Sequence, residues 1–302
     1  MKVAALDLGT NTFLCLIAEG DRDGLRRVIR DEVEVVRLGQ GVDQNGAFHP
    51  DALARAGACL ARYRQMINEE KVDHVLGVAT SAARDVSNGN ALFALAQELD
   101  LPIQVIAGAE EARLSYLGAC AEFNDDQHRL VVDIGGGSTE LIVGRGRELL
   151  FSQSLDMGAV RLTERFVTRQ PIPVSERGRL ENFIMEQLQG VSNEILKNPL
   201  DQVLAVAGTP TSLAAIELGG FDAKRVDGYR ISLARLKEWG EVFASTSVEE
   251  KKQKYNLGGR ADIIYAGVSI LRCLLEALRQ AEVTVSVKGL RYGVALELCS
   301  RA

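Results

Sequence analysis

Two stretches of this chain follow nearly the same pattern. Val3-Ala4-Ala5-Leu6-Asp7-Leu8-Gly9-Thr10-Asn11-Thr12 runs into the apolar segment Phe13 to Ala18. Leu130-Val131-Val132-Asp133-Ile134-Gly135-Gly136-Gly137-Ser138-Thr139-Glu140 runs into Leu141-Ile142-Val143. Each reads as a buried strand, an Asp, a Gly-rich turn carrying hydroxyls, and a second strand. Asp7 and Asp133 lie 126 residues apart. That is roughly one domain length, so the repeat predicts two related lobes rather than a short-period solenoid. A chain of 302 residues accommodates two lobes of ~150 residues each.

The turn chemistry points to anions. Glycines let the backbone approach an oxyanion closely and adopt positive φ, so that successive N–H groups converge on phosphate oxygens. Thr10, Asn11, Thr12, Ser138 and Thr139 add side-chain donors. An Asp at the strand end repels phosphate but suits Mg²⁺, held directly or through water, and the ion then bridges to the phosphate. Either hairpin alone also reads as an ordinary Gly-rich turn. The matched pair predicts polyphosphate gripped from both sides of a cleft.

Composition narrows the partners. A net charge of −6 supplies no basic field for non-specific nucleic-acid binding. An anionic substrate on an acidic chain then calls for metal and for local cations. Arg161, Arg165, Arg169, Arg177 and Arg179 form one such local excess, and they equally suit a solvated helix face. Asp7 interrupts the N-terminal apolar stretch too early for a signal peptide. No run reaches the roughly 18 apolar residues of a membrane helix. Cys15, Cys59, Cys120, Cys273 and Cys299 sit in apolar patterns without a Cys-x-x-Cys pair, as reduced core residues of a cytoplasmic protein do.

Periodicity along the chain predicts strands at 3–8, 13–18, within 28–38, 75–79 and 103–106, with helices at about 51–69, 89–99 and 109–122. The polar segment Asn124-Asp125-Asp126-Gln127 is the natural boundary. Beyond it come the second hairpin at 130–143, a strand near 148–154, and helices at 158–167 and 174–195 parted by Pro171 and Pro173. A strand at 203–207, a helix to 218, helices at 233–245 and 261–280, a strand at 283–287 and a helix at 289–299 complete the chain. Strands alternating with amphipathic helices indicate α/β lobes.

Taken in order, the two hairpins, Thr80-Ser81-Ala82-Ala83-Arg84-Asp85 and Ala109-Glu110-Glu111-Ala112-Arg113-Leu114 resemble the exopolyphosphatase/guanosine pentaphosphate phosphohydrolase family. The likeness continues through Met157 to Leu162 and Ala207-Gly208-Thr209-Pro210-Thr211 to Ser286 through Gly293. It therefore spans essentially the whole chain. The resemblance implies an α/β fold of two ribonuclease H-like lobes, as in actin-like ATPases and sugar kinases, with a cleft between them. It places one lobe at 1–123, joined by the C-terminal helix 289–302, and the other at 124–288. Ala107, Ala207 and Tyr292 depart from the family's frequent Ser, Gly and acidic residues. The C-terminal helical region of longer members is absent, and no His-Asp dipeptide offers a second metal centre.

The resemblance implies Glu111 as the base that orients the attacking water. The residues alone leave Glu110 and Glu111 both open. On a helix Glu110 aligns with Leu114, Leu117 and Ala121, while Glu111 aligns with Ser115 and Gly118, small enough to leave room for a cleft. Both also read as first-turn glutamates complementing the helix dipole. Arg84 suits bidentate phosphate binding, or a surface pair with Asp85. Asp133 and Glu140 are the Mg²⁺ (or Mn²⁺) ligands expected of the second hairpin, with Asp7 as an outer partner of the ion. Gly135, Gly136, Gly137 and Ser138 would donate to the terminal phosphate. Gly208 and Thr209, at a strand-to-helix turn, offer a third phosphate contact or simply a tight turn.

The expected function is Mg²⁺-dependent removal of terminal phosphate from polyphosphate. Guanosine pentaphosphate is the alternative substrate for the same machinery. A phosphotransferase or a non-catalytic alarmone sensor on the same lobes ranks lower. Relatives of this kind are often homodimers, but no residue pattern in the chain marks an interface.

Overall fold

A computed structural model describes residues 1–84, 86–123 and 125–301. Asp85 and Asn124, which enter the readings above, lie outside the described residues, as does Ala302. The chain divides into two units, Met1–Glu122 with Gly289–Ala302, and Phe123–Lys288.

The first unit opens with β1 (Lys2–Leu8), β2 (Thr12–Asp21) and β3 (Gly24–Val35). Short α1 (Val42–Asn45), long α2 (Pro50–Glu69), β4 (His74–Ala79), short α3 (Ser81–Arg84), α4 (Asn90–Glu98), β5 (Ile103–Val105) and α5 (Gly108–Ala119) follow. The sheet runs β3-β2-β1-β4-β5, the first three antiparallel and β4 and β5 parallel to β1. β1 is apolar on both faces because helices cover both. On one face α2 presents Ala56, Cys59, Leu60, Tyr63 and Ile67 to Leu6, Leu8, Phe13 and Ile17.

The second unit repeats this plan. It contains β6 (His128–Ile134), β7 (Thr139–Arg145), β8 (Glu148–Leu155), α6 (Ala159–Phe166), α7 (Val174–Ile195), β9 (Gln202–Val206), α8 (Gly208–Glu217) and short α9 (Ala223–Val226). Then come β10 (Arg230–Ser232), α10 (Leu233–Ser245), α11 (Val248–Tyr255), α12 (Ile264–Ala277) and β11 (Glu282–Val285). Its sheet order is β10-β11-β9-β6-β7-β8, so an antiparallel β6-β7-β8 meander again carries parallel neighbours on the β6 side. α12 is buried along nearly its whole length and packs on α7, α10 and α6.

Finally α13 (Leu290–Ser300) returns to the first unit and lies against α5, β1 and β2. Gly293 and Gly118 allow this approach. A side chain at Gly293 would overlap the Leu114 carbonyl, and one at Gly118 would meet the Gly289 backbone.

Three differences from the sequence reading have plain causes. β3 begins at Gly24 rather than 28, because a two-residue turn at Arg22-Asp23 pairs Asp21 with Gly24, which takes φ 137°. α11 has only Val248 and Tyr255 as apolar residues, one at each end, too few to show an apolar period. Its start was nevertheless legible in Ser247 and Glu250, which form a capping box. The three residues of β10 are too few to display alternation. Among the described residues, no helix is long and apolar enough to cross a membrane, and all five cysteines are buried and unbridged.

Candidate functional site

In the first unit the parallel strands β1, β4 and β5 end at the same edge of the sheet, since Leu8 aligns with Ala79 and Ala79 with Val105. That edge collects Asp7, the hairpin residues Thr10, Asn11 and Thr12, Arg84 after β4, and Glu111 in the first turn of α5. Ligands of α/β sheets bind at the carboxyl ends of strands for this reason. The hairpin closes through Gly9 N–H on the Thr12 carbonyl at 3.1 Å. Its outer carbonyls are taken up by the next segment: Asn11 O accepts from Val36 and Arg37, and Thr10 O from Gly39. Thr10 and Asn11 are buried. Among the described residues, no intramolecular acceptor meets the N–H groups of Thr10 and Asn11.

Arg84 and Glu111 form an ion pair, Nη1 donating to Oε2 at 2.8 Å, and the same Nη1 donates to the Ile106 carbonyl at 2.8 Å. Glu110 instead points outward and is gripped by Arg113, which holds its carboxyl below the usual range. The helical-face expectation is thus reversed in its reasoning. Glu111, Ser115 and Gly118 are all buried, and Gly118 admits the start of α13 rather than leaving open space. A cavity of about 740 Å³ opens elsewhere, where β4 and β5 begin, and its lining holds none of the residues singled out above.

In the second unit Asp133 and Glu140 sit directly opposite each other across the β6–β7 pair. Opposed residues share a face with Cβ atoms about 5 Å apart. Both are buried, and Glu140 accepts from Ser154 Oγ at 2.7 Å. The intervening turn is held from below. Gly135 O accepts from Ala159 N–H, Gly136 O from Val160 and Arg161 N–H, and Gly137 O from Arg161 Nε at 2.9 Å. With its carbonyls drawn down into the start of α6, the turn presents N–H groups on its other side. Among the described residues, no intramolecular acceptor meets those of Gly136, Gly137 and Ser138. Of the five arginines noted in the sequence, Arg161 touches this hairpin. Arg165 lies over the Phe166 and Phe183 rings, and Arg177 bonds Ile172 O and Glu241.

β9 runs parallel to β6 with Val206 beside Asp133, so the Gly208-Thr209 turn emerges next to the second hairpin. Ala207 at this turn has φ 73° and ψ −165°, a region nearly exclusive to glycine. The sequence reading passed over Arg260. Its guanidinium lies on Gly208, with Nε 2.7 Å from where a side-chain carbon would stand, and its nearest polar partner is Ser212 Oγ at 3.4 Å. Desolvation pulls its pKa down. Among the described residues, no carboxylate lies within ion-pair distance of it. The Gly258-Gly259-Arg260 run ahead of a helix was the available signal.

Asp133 and Glu140 with nearby hydroxyls are hard oxygen donors. Among the described residues no group of three or more acidic, His or Cys side chains converges as a complete metal cage. A pair of carboxylates suits an ion that keeps several waters and takes further ligands from substrate phosphates, as Mg²⁺ does.

Two ribonuclease H-like lobes of the actin-like class, each carrying an Asp-ended hairpin with outward N–H groups, define a phosphate-handling α/β protein. The chain belongs to the Ppx/GppA phosphatase family, whose model matches residues 16–302. It is 35% identical over 317 aligned residues to Exopolyphosphatase 2 of Mycobacterium tuberculosis, covering 98% of each chain. Among solved structures it resembles an exopolyphosphatase from Cytophaga hutchinsonii, with TM-score 0.90, 28% identity, and 100% and 99% coverage of the two chains. It also resembles the Ppx/GppA family member of Aquifex aeolicus, with TM-score 0.83, 30% identity, and 100% and 98% coverage.

Proposed function

We propose that this chain is an exopolyphosphatase, a hydrolase that releases orthophosphate from the end of inorganic polyphosphate. The observation that carries the reading is the turn from Gly135 to Ser138, whose open N–H groups stand beside the opposed carboxylates Asp133 and Glu140. Together they offer anion donors and a divalent-cation site in one hairpin. The name of the Mycobacterium tuberculosis relative, 35% identical over 98% of both chains, agrees with this chemistry.

Hydrolysis forms a bond from water oxygen to the terminal phosphorus and breaks the bridging P–O bond. Phosphoryl transfer of this kind depends on positioning and on charge stabilisation. We assign the water proton to Glu111, with Arg84 holding that carboxylate in place at 2.8 Å. In the second unit, the turn N–H groups of Gly136, Gly137 and Ser138, the Gly208-Thr209 turn and Arg260 would supply donors to phosphate oxygens; in the first unit, the Thr10–Thr12 hairpin offers donors of its own. Mg²⁺, held by Asp133 and Glu140, would neutralise charge on those oxygens. Five buried, unbridged cysteines accord with action in the reducing cytoplasm.

The test is orthophosphate release from short polyphosphate, long polyphosphate and guanosine pentaphosphate, side by side, across a Mg²⁺ titration. Polyphosphate should be the better substrate by kcat/KM, and Asp133→Asn should raise the Mg²⁺ needed for half-activity by about tenfold or more. No release from polyphosphate would refute the function. Faster cleavage of guanosine pentaphosphate would move the substrate assignment. An unchanged titration in Asp133→Asn would remove that residue from the metal site.

A further inference from the structure

We propose that Arg161 is a positioning residue that aims the Ser138 N–H at phosphate from behind the Gly135–Ser138 turn, and this rests on the reading of that turn as a phosphate site. The turn consists of three consecutive peptide units. The N–H of Gly136 shares its unit with the Gly135 carbonyl, which accepts from Ala159 N–H at 2.9 Å. The N–H of Gly137 shares its unit with the Gly136 carbonyl, which accepts from Val160 and Arg161 N–H at 2.9 and 3.0 Å. The N–H of Ser138 shares its unit with the Gly137 carbonyl, which accepts from Arg161 Nε at 2.9 Å. Each outward donor therefore has a hydrogen bond at the far end of its own peptide.

Such bonds act on the open donors in two ways. A peptide plane in a glycine-rich turn flips at little cost, because glycine tolerates both signs of φ. A flip would turn a carbonyl oxygen toward the anion, so a pinned carbonyl keeps the N–H aimed outward before the ligand arrives. A bond accepted at the carbonyl also draws charge through the peptide and strengthens the donor at its other end, by ~10–30%. A guanidinium does this more than a neutral group, since charge-assisted bonds are roughly twice as strong.

The three units are not held alike. The Gly135 and Gly136 carbonyls take main-chain N–H groups at the start of α6, which a change of side chain leaves in place. Among the described residues, Arg161 Nε is the one donor that meets the Gly137 carbonyl. The aim of the Ser138 N–H thus depends on a single side chain.

Gly158 shows independently how closely α6 is set against the turn. Its φ of −124° and ψ of 166° are ordinary extended values, so nothing in its backbone calls for glycine. A side-chain carbon there would stand 2.3 Å from the Gly136 carbonyl and 2.5 Å from Gly137 N. The missing side chain lets α6 approach within bonding range. Thr139 Oγ1, donating to the Met157 carbonyl, ties the same segment to β7.

Two substitutions separate this role from direct contact with phosphate. Glutamine places a neutral N–H donor as many bonds from the main chain as Arg161 Nε, and methionine places a methyl group there. Arg161→Met should lower kcat/KM for polyphosphate by about tenfold or more, and Arg161→Gln by less than about threefold. Equal losses in the two would mean that the charge acts on the ligand itself, and the proposal would fall. Amide spectra of protein carrying isotope-labelled glycine and serine read the turn directly, with melting curves to confirm that each variant folds. Without ligand, the Ser138 amide proton should move upfield in Arg161→Met and return in Arg161→Gln, while those of Gly136 and Gly137 stay. Inorganic phosphate with Mg²⁺ should move all three downfield in the wild type, and Ser138 less than about half as far in Arg161→Met. Wild-type amides indifferent to phosphate would remove the phosphate reading of the turn and this proposal with it. A wild-type response that Arg161→Met leaves intact at Ser138 would overturn the proposal alone. Gly158→Ala is a second perturbation that keeps Arg161. It should displace α6, move all three amides and lower kcat/KM by about tenfold or more; unaltered amides and rate would also refute the coupling.

Discussion

Replacing Glu111 separates its chemical role from its structural one. Its side chain is 8% exposed and that of Arg84 is 23% exposed, joined at 2.8 Å. Deleting the carboxylate in Glu111→Ala strands a guanidinium. Breaking a fully buried pair costs ~3–5 kcal/mol. Here Arg84 keeps the Ile106 carbonyl at 2.8 Å and some contact with water, so the loss should be about 2–3 kcal/mol. Glu111→Gln retains an acceptor oxygen for Arg84 and should cost only about 1 kcal/mol. At roughly 2–4 °C per kcal/mol, the alanine variant should melt about 5–10 °C lower and the glutamine variant about 3 °C lower. Neither can take a proton from water, so both should lose about 10²–10⁴ in kcat. Orthophosphate release at saturating Mg²⁺ measures the rate, and scanning fluorimetry measures the melt. A glutamine variant turning over within about fivefold of wild type would remove Glu111 as the base. Activity that merely tracks the folded fraction of both variants would make the residue structural.

Two further outcomes follow from the second unit. Ala207→Gly should stabilise the chain by about 1 kcal/mol, because relief of ~1–3 kcal/mol of strain at φ 73° outweighs the extra freedom glycine gives the unfolded state; a lower melting temperature would contradict this. Lys251 is fully buried against Gln170, and burial pulls its pKa from 10.5 down to about 8. Between those values the unfolded chain binds the proton and the folded chain does not, so stability should rise with pH by up to about 1.4 kcal/mol per unit. Melting curves from pH 8 to 10 should show that rise and lose it in Lys251→Met; a falling or flat wild-type profile would refute it.

Much of the architecture was legible because it rests on short-range pattern. Val3–Leu6 and Leu130–Val132 are apolar runs broken by Asp and Gly, and local chemistry alone makes each a strand entering a tight turn. α7 was readable from Pro173 at its start and from Leu180, Ile184, Leu188 and Val191 at helical spacing. α11 was harder, because its core-facing side holds only Val248 and Tyr255 with Lys251 between them, among Glu249, Lys252 and Lys254.

Other features arise from contacts between residues far apart in the chain, which carry no local signature. Ser115 and Gly118 suggested an open face, yet both are buried, and Gly118 leaves room for the start of α13, which returns from the far end of the chain. Arg84 and Glu111 are 27 residues apart and meet because β4 and β5 run parallel and end together. Arg260 reaches Gly208 across 52 residues, nearly twice that separation. Sequence pattern specifies a strand, a turn or a cap through the dihedral and burial preferences of neighbouring residues. Which buried cation rests on which turn depends on how helices and parallel strands stack, and that is settled when the sheets and helices pack.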